Sequence, residues 1–379
     1  MPTDPGLGSR PDPGTVRALP KVILHDHLDG GVRPRTLLDL AAAAGRDLPA
    51  DEPGELAAWF RRTASAGTLA GYLETFEHTV GAMQSAEALA RVAREAVLDH
   101  AADGVVHAEL RWAPEQHLAG GLTLQGAVDA VAAGVAEGVA EAAAGGRRIR
   151  AGQILTALRH LDRSAEIAAL ALANRDRGVL GFDLAGPEIG FPVTRHERAV
   201  RALREASFPV TIHAGEAAGP ESVADALHHG LALRLGHGVR VVEDIVLGAP
   251  DADDPWGLAG AVLGPLAHWV RDQQVTLEVC PSSNLQTGVA ASVAAHPVTA
   301  LARLGFAVAI STDNRLMSAT TASREFDLLV AEADWTLGDL LTATLTAAHA
   351  AFLHHDERTA LVEDVILPAY TEPKGPPST

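Results

Sequence analysis

Eight short runs of β-favouring apolar residues recur along this chain, and alanine-rich helical stretches separate them. Strands that alternate with helices in this way pack as a parallel sheet, and eight such units favour a sheet closed into a barrel. The runs are Lys21 to Leu24, Val105 to Trp112, Gln153 to Leu158, Val179 to Leu184, Pro209 to His213, Leu233 to His237, Val275 to Cys280 and Phe306 to Ser311. Helices are expected between them, among others over Glu87 to His100, Leu124 to Ala144 and His196 to Ala206. The expected fold class is therefore α/β, a (β/α)8 TIM barrel with extra N-terminal helices. Those extra helices fall in Pro34 to Gln84, a segment longer than one crossover needs, and are expected to cap the barrel mouth.

One barrel domain over residues 20–367 accommodates most of the 379 residues. Residues 1–19 and 368–379 are rich in Pro, Gly and small polar residues and carry too little apolar surface to offset ordering entropy, so both read as flexible tails. Gly248 to Leu258 shares that character and reads as a surface insertion. The balance of 30 basic and 48 acidic residues, a net charge of −18, repels a phosphate backbone and argues against nucleic acid as a partner. No apolar run reaches the roughly 18 residues of a membrane span, and the N-terminus has no secretory signal pattern. A cytoplasmic protein with no membrane partner is expected. Cys280, the only cysteine, reads as a packing residue. Its solitude excludes an internal disulfide and the Pro-Cys-x-x-Cys zinc site of cytidine-deaminase-type enzymes. Any metal must be held by His and carboxylates.

Polar residues fall at telling places relative to the runs. His25 and His27 follow the first, His213 ends the fifth, His237 ends the sixth and Asp313 follows the eighth. In a barrel these strand ends converge on one mouth. His25 and His27, at i and i+2 of an extended strand, point to one face and can grip one ion. His213 adds a third nitrogen and Asp313 an oxygen. Three imidazoles and a carboxylate suit Zn²⁺, although the affinity order alone does not separate zinc from other divalent metals. Glu216 lies three residues beyond His213, across a glycine that permits a tight turn, and is a candidate proton donor. Its plainer reading is an acidic residue in the first turn of a helix. His237 sits between two glycines, and a satisfied rim histidine is its plainer reading.

Taken together, LPKVILHDHLDGG, GFDLAGPE, TIHAGE, RLGHG, LEVCPSSN and STDN resemble the motifs of the adenosine deaminase family of the amidohydrolase superfamily, in the family's order from residue 19 to residue 314. The resemblance implies that His25, His27, His213 and Asp313 bind one catalytic Zn²⁺, which lowers the pKa of a bound water toward ~7. It implies attack of that hydroxide on purine C6, with Glu216 protonating N1 and His237 orienting the water and stabilising its charge. Asp29 matches the residue that hydrogen-bonds the ribose 5′-hydroxyl, and Gly186 matches the one whose backbone N–H meets purine N3. His27 also lies near substrate in that arrangement. The chain departs from the family where Asn314 stands in place of a second acidic residue after Asp313. That position donates to purine N7, which an amide does without a pKa shift.

The implied reaction is hydrolysis of adenosine, and of 2′-deoxyadenosine, to inosine and ammonia, with a small purine nucleoside as partner. Another 6-aminopurine such as aminodeoxyfutalosine or adenine is the alternative substrate, although Asp29 favours a ribosyl hydroxyl and would repel a 5′-phosphate. A non-catalytic nucleoside-binding protein is the alternative of another class, and it predicts erosion of a metal or proton-transfer position that this sequence does not show. Ser282, Ser283 and Asn284 read as capping or structural residues, and Arg159-His160 and Glu109-Arg111 as buried support pairs.

Overall fold

The structure is a computed structural model that describes residues 7–371. Each of the eight runs overlaps a parallel strand: β1 (Lys21–His27), β2 (Val105–Trp112), β3 (Arg150–Leu158), β4 (Val179–Ala185), β5 (Val210–Ala214), β6 (Arg234–His237), β7 (Thr276–Val279) and β8 (Val308–Ile310). They hydrogen-bond side by side in chain order. The seam between β8 and β1 closes at a parallel bridge of Asp26 to Asp313, where His27 N donates to Asp313 O and Asp313 N to His25 O. The sheet is thus a (β/α)8 barrel, and that seam joins two of the expected ligand segments directly.

Polar side chains occupy the barrel interior. Arg111 of β2 donates to Glu278 of β7 at 2.6 Å, a contact between strands that are not neighbours and therefore one that crosses the barrel. Glu278 also accepts from Arg234 Nε at 2.7 Å and Thr211 Oγ1 at 3.1 Å, and Arg234 reaches Glu109 at 2.5 Å. All five residues are buried. Pairing and hydrogen bonding together offset the desolvation that makes isolated buried charge so costly. Glu109 and Arg111 are thus buried supports, each paired with another strand rather than with the other.

The segment before β2 forms helices Pro34–Ala43, Pro53–Ala64, Leu69–Leu73 and Phe76–Ala82. Leu69, Tyr72, Leu73 and Phe76 line the cavity at the C-terminal strand ends, so the last two of these helices cover the mouth. Around Gly248 the chain makes an exposed excursion pinned by a two-residue antiparallel ladder, Ile245 to Leu263 and Val246 to Val262.

The expectation of flexible tails is corrected in part. Pro13–Ala18 is a helix: Asp12 caps it by accepting from Thr15 N at 3.0 Å, Pro13 opens it, and Val16 is buried. Buried Lys21 closes its C-terminal end by donating to Val16 O at 2.8 Å and Leu19 O at 2.7 Å. At the other end Leu367–Thr371 is helical, and buried Tyr370 lies 3.0 Å from Thr344 Oγ1. The remainder of the expected tails, residues 1–6 and 372–379, lies outside the described residues.

Candidate active site

The strand ends bring His25, His27, His213, His237, Glu216 and Asp313 together. His27 Nε2 and His213 Nε2 are 3.2 Å apart, and the Nε2 atoms of His25 and His27 each lie 3.4 Å from Asp313 Oδ1. Outer partners fix the tautomers. Glu278 accepts from His25 Nδ1 at 3.2 Å and Asp183 from His213 Nδ1 at 3.1 Å, which leaves both Nε2 lone pairs facing inward. His25 Nε2 is fully buried and has no hydrogen-bond partner among the described residues. Burial holds His27 down at about 4, so its ring stays neutral. Two facing imidazole nitrogens, an orphaned third and a carboxylate oxygen repel one another unless a cation lies among them, and this donor set fits Zn²⁺. Ser283 donates to Asp313 Oδ2 at 2.5 Å and sets the carboxylate's orientation. Asp313 and His237 have φ of +56° and +62°, conformations that cost non-glycine residues energy and that collect at functional sites.

Glu216 follows the turn at Gly215, whose φ is +68°. Its carboxyl lies 3.5 Å from His237 Nε2. Burial, reinforced by the Asp313 and Glu188 carboxylates, pushes that carboxyl well above the usual carboxylate range. His237 is also buried, and burial holds its ring neutral. A chain of hydrogen bonds decides which of its nitrogens carries the proton. Val298 N donates to His296 Nδ1 at 3.0 Å, so His296 carries its proton on Nε2 and gives it to Asn284 Oδ1 at 3.2 Å. The Asn284 amide then donates to His237 Nδ1 at 3.1 Å, which leaves His237 Nε2 as an N–H donor facing the site.

The same cavity is lined by Gly186, whose φ is +97°, and by Asn314. Asn314 fits only because Gly30 has no side chain: a Cβ there would stand 1.7 Å from Asn314 Oδ1. Asp29 is buried beside the site, and its Oδ1 has no partner among the described residues.

Residues 20–368 match the family model described as Adenosine deaminase. The chain is 52% identical over 357 residues to the "Adenosine deaminase" of Mycobacteroides abscessus, covering 94% of this chain and 96% of that one. It is 51% identical over 371 residues to the "Adenosine deaminase 1" of Streptomyces coelicolor, covering 97% and 91%. The chain belongs to the adenosine deaminase family. Among solved structures, an amidohydrolase from Burkholderia ambifaria with bound Zn superposes with a TM-score of 0.79 at 25% identity, covering 95% of this chain and 92% of that one. The adenine deaminase of Arthrobacter aurescens, at 23% identity and a TM-score of 0.77 over 92% of this chain and 98% of its own, shares the fold.

Several residues of this adenosine deaminase family member escaped the sequence reading. Glu188, within the string GFDLAGPE, accepts from the backbone N–H groups of Gly215 at 2.6 Å, Glu216 at 3.2 Å, Ala217 at 2.6 Å and Ala218 at 2.9 Å, and so fixes the turn that carries Glu216. Its place just beyond the end of β4 was the available signal. Ser283 and Asn284, expected as capping or structural residues, make no side-chain cap at their helix and instead hold Asp313 and His237. Arg159 is a buried support that donates to His213 O at 2.7 Å, whereas His160 is exposed.

Proposed function

We propose that this chain hydrolytically deaminates adenosine, and 2′-deoxyadenosine, to inosine and ammonia, with one zinc ion per chain held by His25, His27, His213 and Asp313. The observation that carries the reading is Glu216, a buried carboxyl 3.5 Å from His237 Nε2 beside a cation-shaped cluster of donors. Zinc, when bound, supplies the Lewis acidity that makes water a nucleophile near neutral pH. As water adds at C6, the ring gains electron density at N1, and Glu216 delivers its proton there. His237 Nε2–H orients the attacking oxygen and stabilises charge on it. Gly186 N–H meets N3, the Asn314 amide donates to N7, and Asp29 accepts from the 5′-hydroxyl, with His27 alongside.

Adenosine is favoured over adenine for two reasons. The relatives at 51–52% identity carry the name adenosine deaminase, and Asp29 offers a buried free acceptor suited to a sugar hydroxyl. The partner is a small purine nucleoside. Among the described residues no helix is long and apolar enough to cross a membrane, and a cytoplasmic location belongs to the same proposal. Glu216→Gln tests the acid directly. It should retain zinc and nucleoside binding while kcat for adenosine falls roughly 10²- to 10⁴-fold. A variant with near-normal kcat would remove the proton-donor role.

A further inference from the structure

Behind the donor cluster lies a buried ion pair that the reaction itself does not use. Asp26 stands between His25 and His27 in β1, and successive strand residues face opposite ways, so its side chain turns away from the cavity. There it meets the helix Ala86–Ala102, where His100 Nε2 lies 3.4 Å from Asp26 Oδ2. The same oxygen accepts from Thr312 Oγ1 at 2.7 Å and from Arg315 Nε at 2.8 Å. Thr312 and Arg315 flank Asp313 and Asn314, one on each side. Asp26 is fully buried, and the Arg315 side chain is only 9% exposed. Arg315 is braced from outside in turn. Its Nη1 lies 3.4 Å from Asp99 Oδ2, which also accepts from Arg33 Nε at 3.0 Å, and its Nη2 packs on Gly31, where a Cβ would stand 2.5 Å away.

We propose that Asp26 and Arg315 are a positioning pair for the metal site, clasping the seam between β1 and β8 so that donors from the two strands stand at zinc spacing before an ion arrives. Two of the proposed ligands, His25 and His27, are the chain neighbours of Asp26, and a third, Asp313, lies between the two residues that Asp26 binds. Ligand atoms about 2.0–2.1 Å from one tetrahedral ion stand roughly 3.3 Å apart. His25 Nε2 and His27 Nε2 each lie 3.4 Å from Asp313 Oδ1, so the spacing across this seam is already in place. Lone pairs held that close repel one another without a cation, and the seam has to be kept closed by other contacts. The backbone bridge supplies two, at 2.8 and 2.9 Å, and it ends at His27 and Asp313. The clasp extends the hold to the turn beyond β8. Arginine suits that task, because its planar fork reaches Asp26 from Nε and Asp99 from Nη1 at once, tying the turn both to β1 and to the outer helix. This inference rests on the proposed zinc site.

The test measures zinc affinity by chelator competition and the visible spectrum of the cobalt(II)-substituted protein, with thermal melting of the metal-free chain so that bound metal adds nothing to stability. Asp26→Asn and Arg315→Met each leave one buried charge without its partner, so each should lower the melting temperature. Each should also weaken zinc binding roughly 10- to 100-fold and alter the cobalt spectrum. The double variant Asp26→Asn/Arg315→Met strands neither charge and should regain melting temperature, yet its zinc affinity should stay as low as that of the single variants. Val16→Ala, in the N-terminal helix, should lower the melting temperature while keeping wild-type zinc affinity. If a single variant does not fold, the double variant and Val16→Ala carry the same comparison. Wild-type zinc affinity in the Asp26 and Arg315 variants, or an affinity that rises and falls with melting temperature across the whole set, would overturn the inference. None of these readouts requires turnover, so a zinc-binding protein inert on adenosine would remove the deaminase reading alone. A wild type that binds no zinc would overturn both.

Discussion

At the scale of single residues, the site depends on protons being in the right places, and the sequence holds those protons through side chains packed behind the donor cluster. His237 can donate from Nε2 only because Asn284 donates to its Nδ1, and Asn284 is turned that way by His296 and ultimately by the backbone N–H of Val298. Asn284→Asp is nearly isosteric but accepts where the amide donated, so it would draw the proton of His237 onto Nδ1. Its kcat should fall roughly 10- to 100-fold with KM for adenosine little changed, as measured by steady-state kinetics. An Asn284→Asp enzyme of normal kcat would show that the tautomer of His237 is irrelevant to turnover.

At the scale of elements, the two ends of the sheet meet at β1 and β8, and their following turns interlock at Gly30 and Asn314. A methyl group at Gly30 has nowhere to go but into the Asn314 amide. Gly30→Ala should therefore displace Asn314 and reduce kcat/KM for adenosine by roughly 10- to 100-fold, with zinc content retained. Unchanged kinetics would mean that Asn314 has no contact with the purine. Elements were also where the sequence was most legible. All eight strands sit on apolar runs read from the chain, because β-branched runs between alanine-rich helices leave little choice of fold. The histidines of the proposed metal site were legible for the same reason, since each stands at the end of such a run. The Pro13–Ala18 helix was not, because six residues give too short a pattern, although Asp12 before Pro13 is a capping signal. Glu188 and Asn284 were hidden because their roles arise from contacts with the turn after β5 and with β6, which no local spacing encodes.

At the scale of the whole molecule, the barrel is built around buried titratable groups, and its stability should depend on pH accordingly. Burial holds His296 at about 3 in the folded chain against an ordinary value of 6.5. Below pH 6.5 the unfolded chain takes up a proton that the folded chain refuses. The stability this group contributes is therefore fully present above pH 6.5 and is lost as pH falls toward 3. Replacing it by His296→Asn should flatten the fall in unfolding free energy across that window relative to wild type, as followed by urea denaturation; an identical slope would show that His296 protonates freely in the folded state. The central claim, that these residues form a zinc-dependent adenosine deaminase, is tested most directly by following the ultraviolet conversion of adenosine to inosine by the purified protein while assaying zinc on the same sample. Rapid turnover with close to one zinc per chain, lost on chelation and restored by zinc, is the expected result. Zinc-loaded protein that leaves adenosine unchanged, or full turnover by protein stripped of metal, would contradict it.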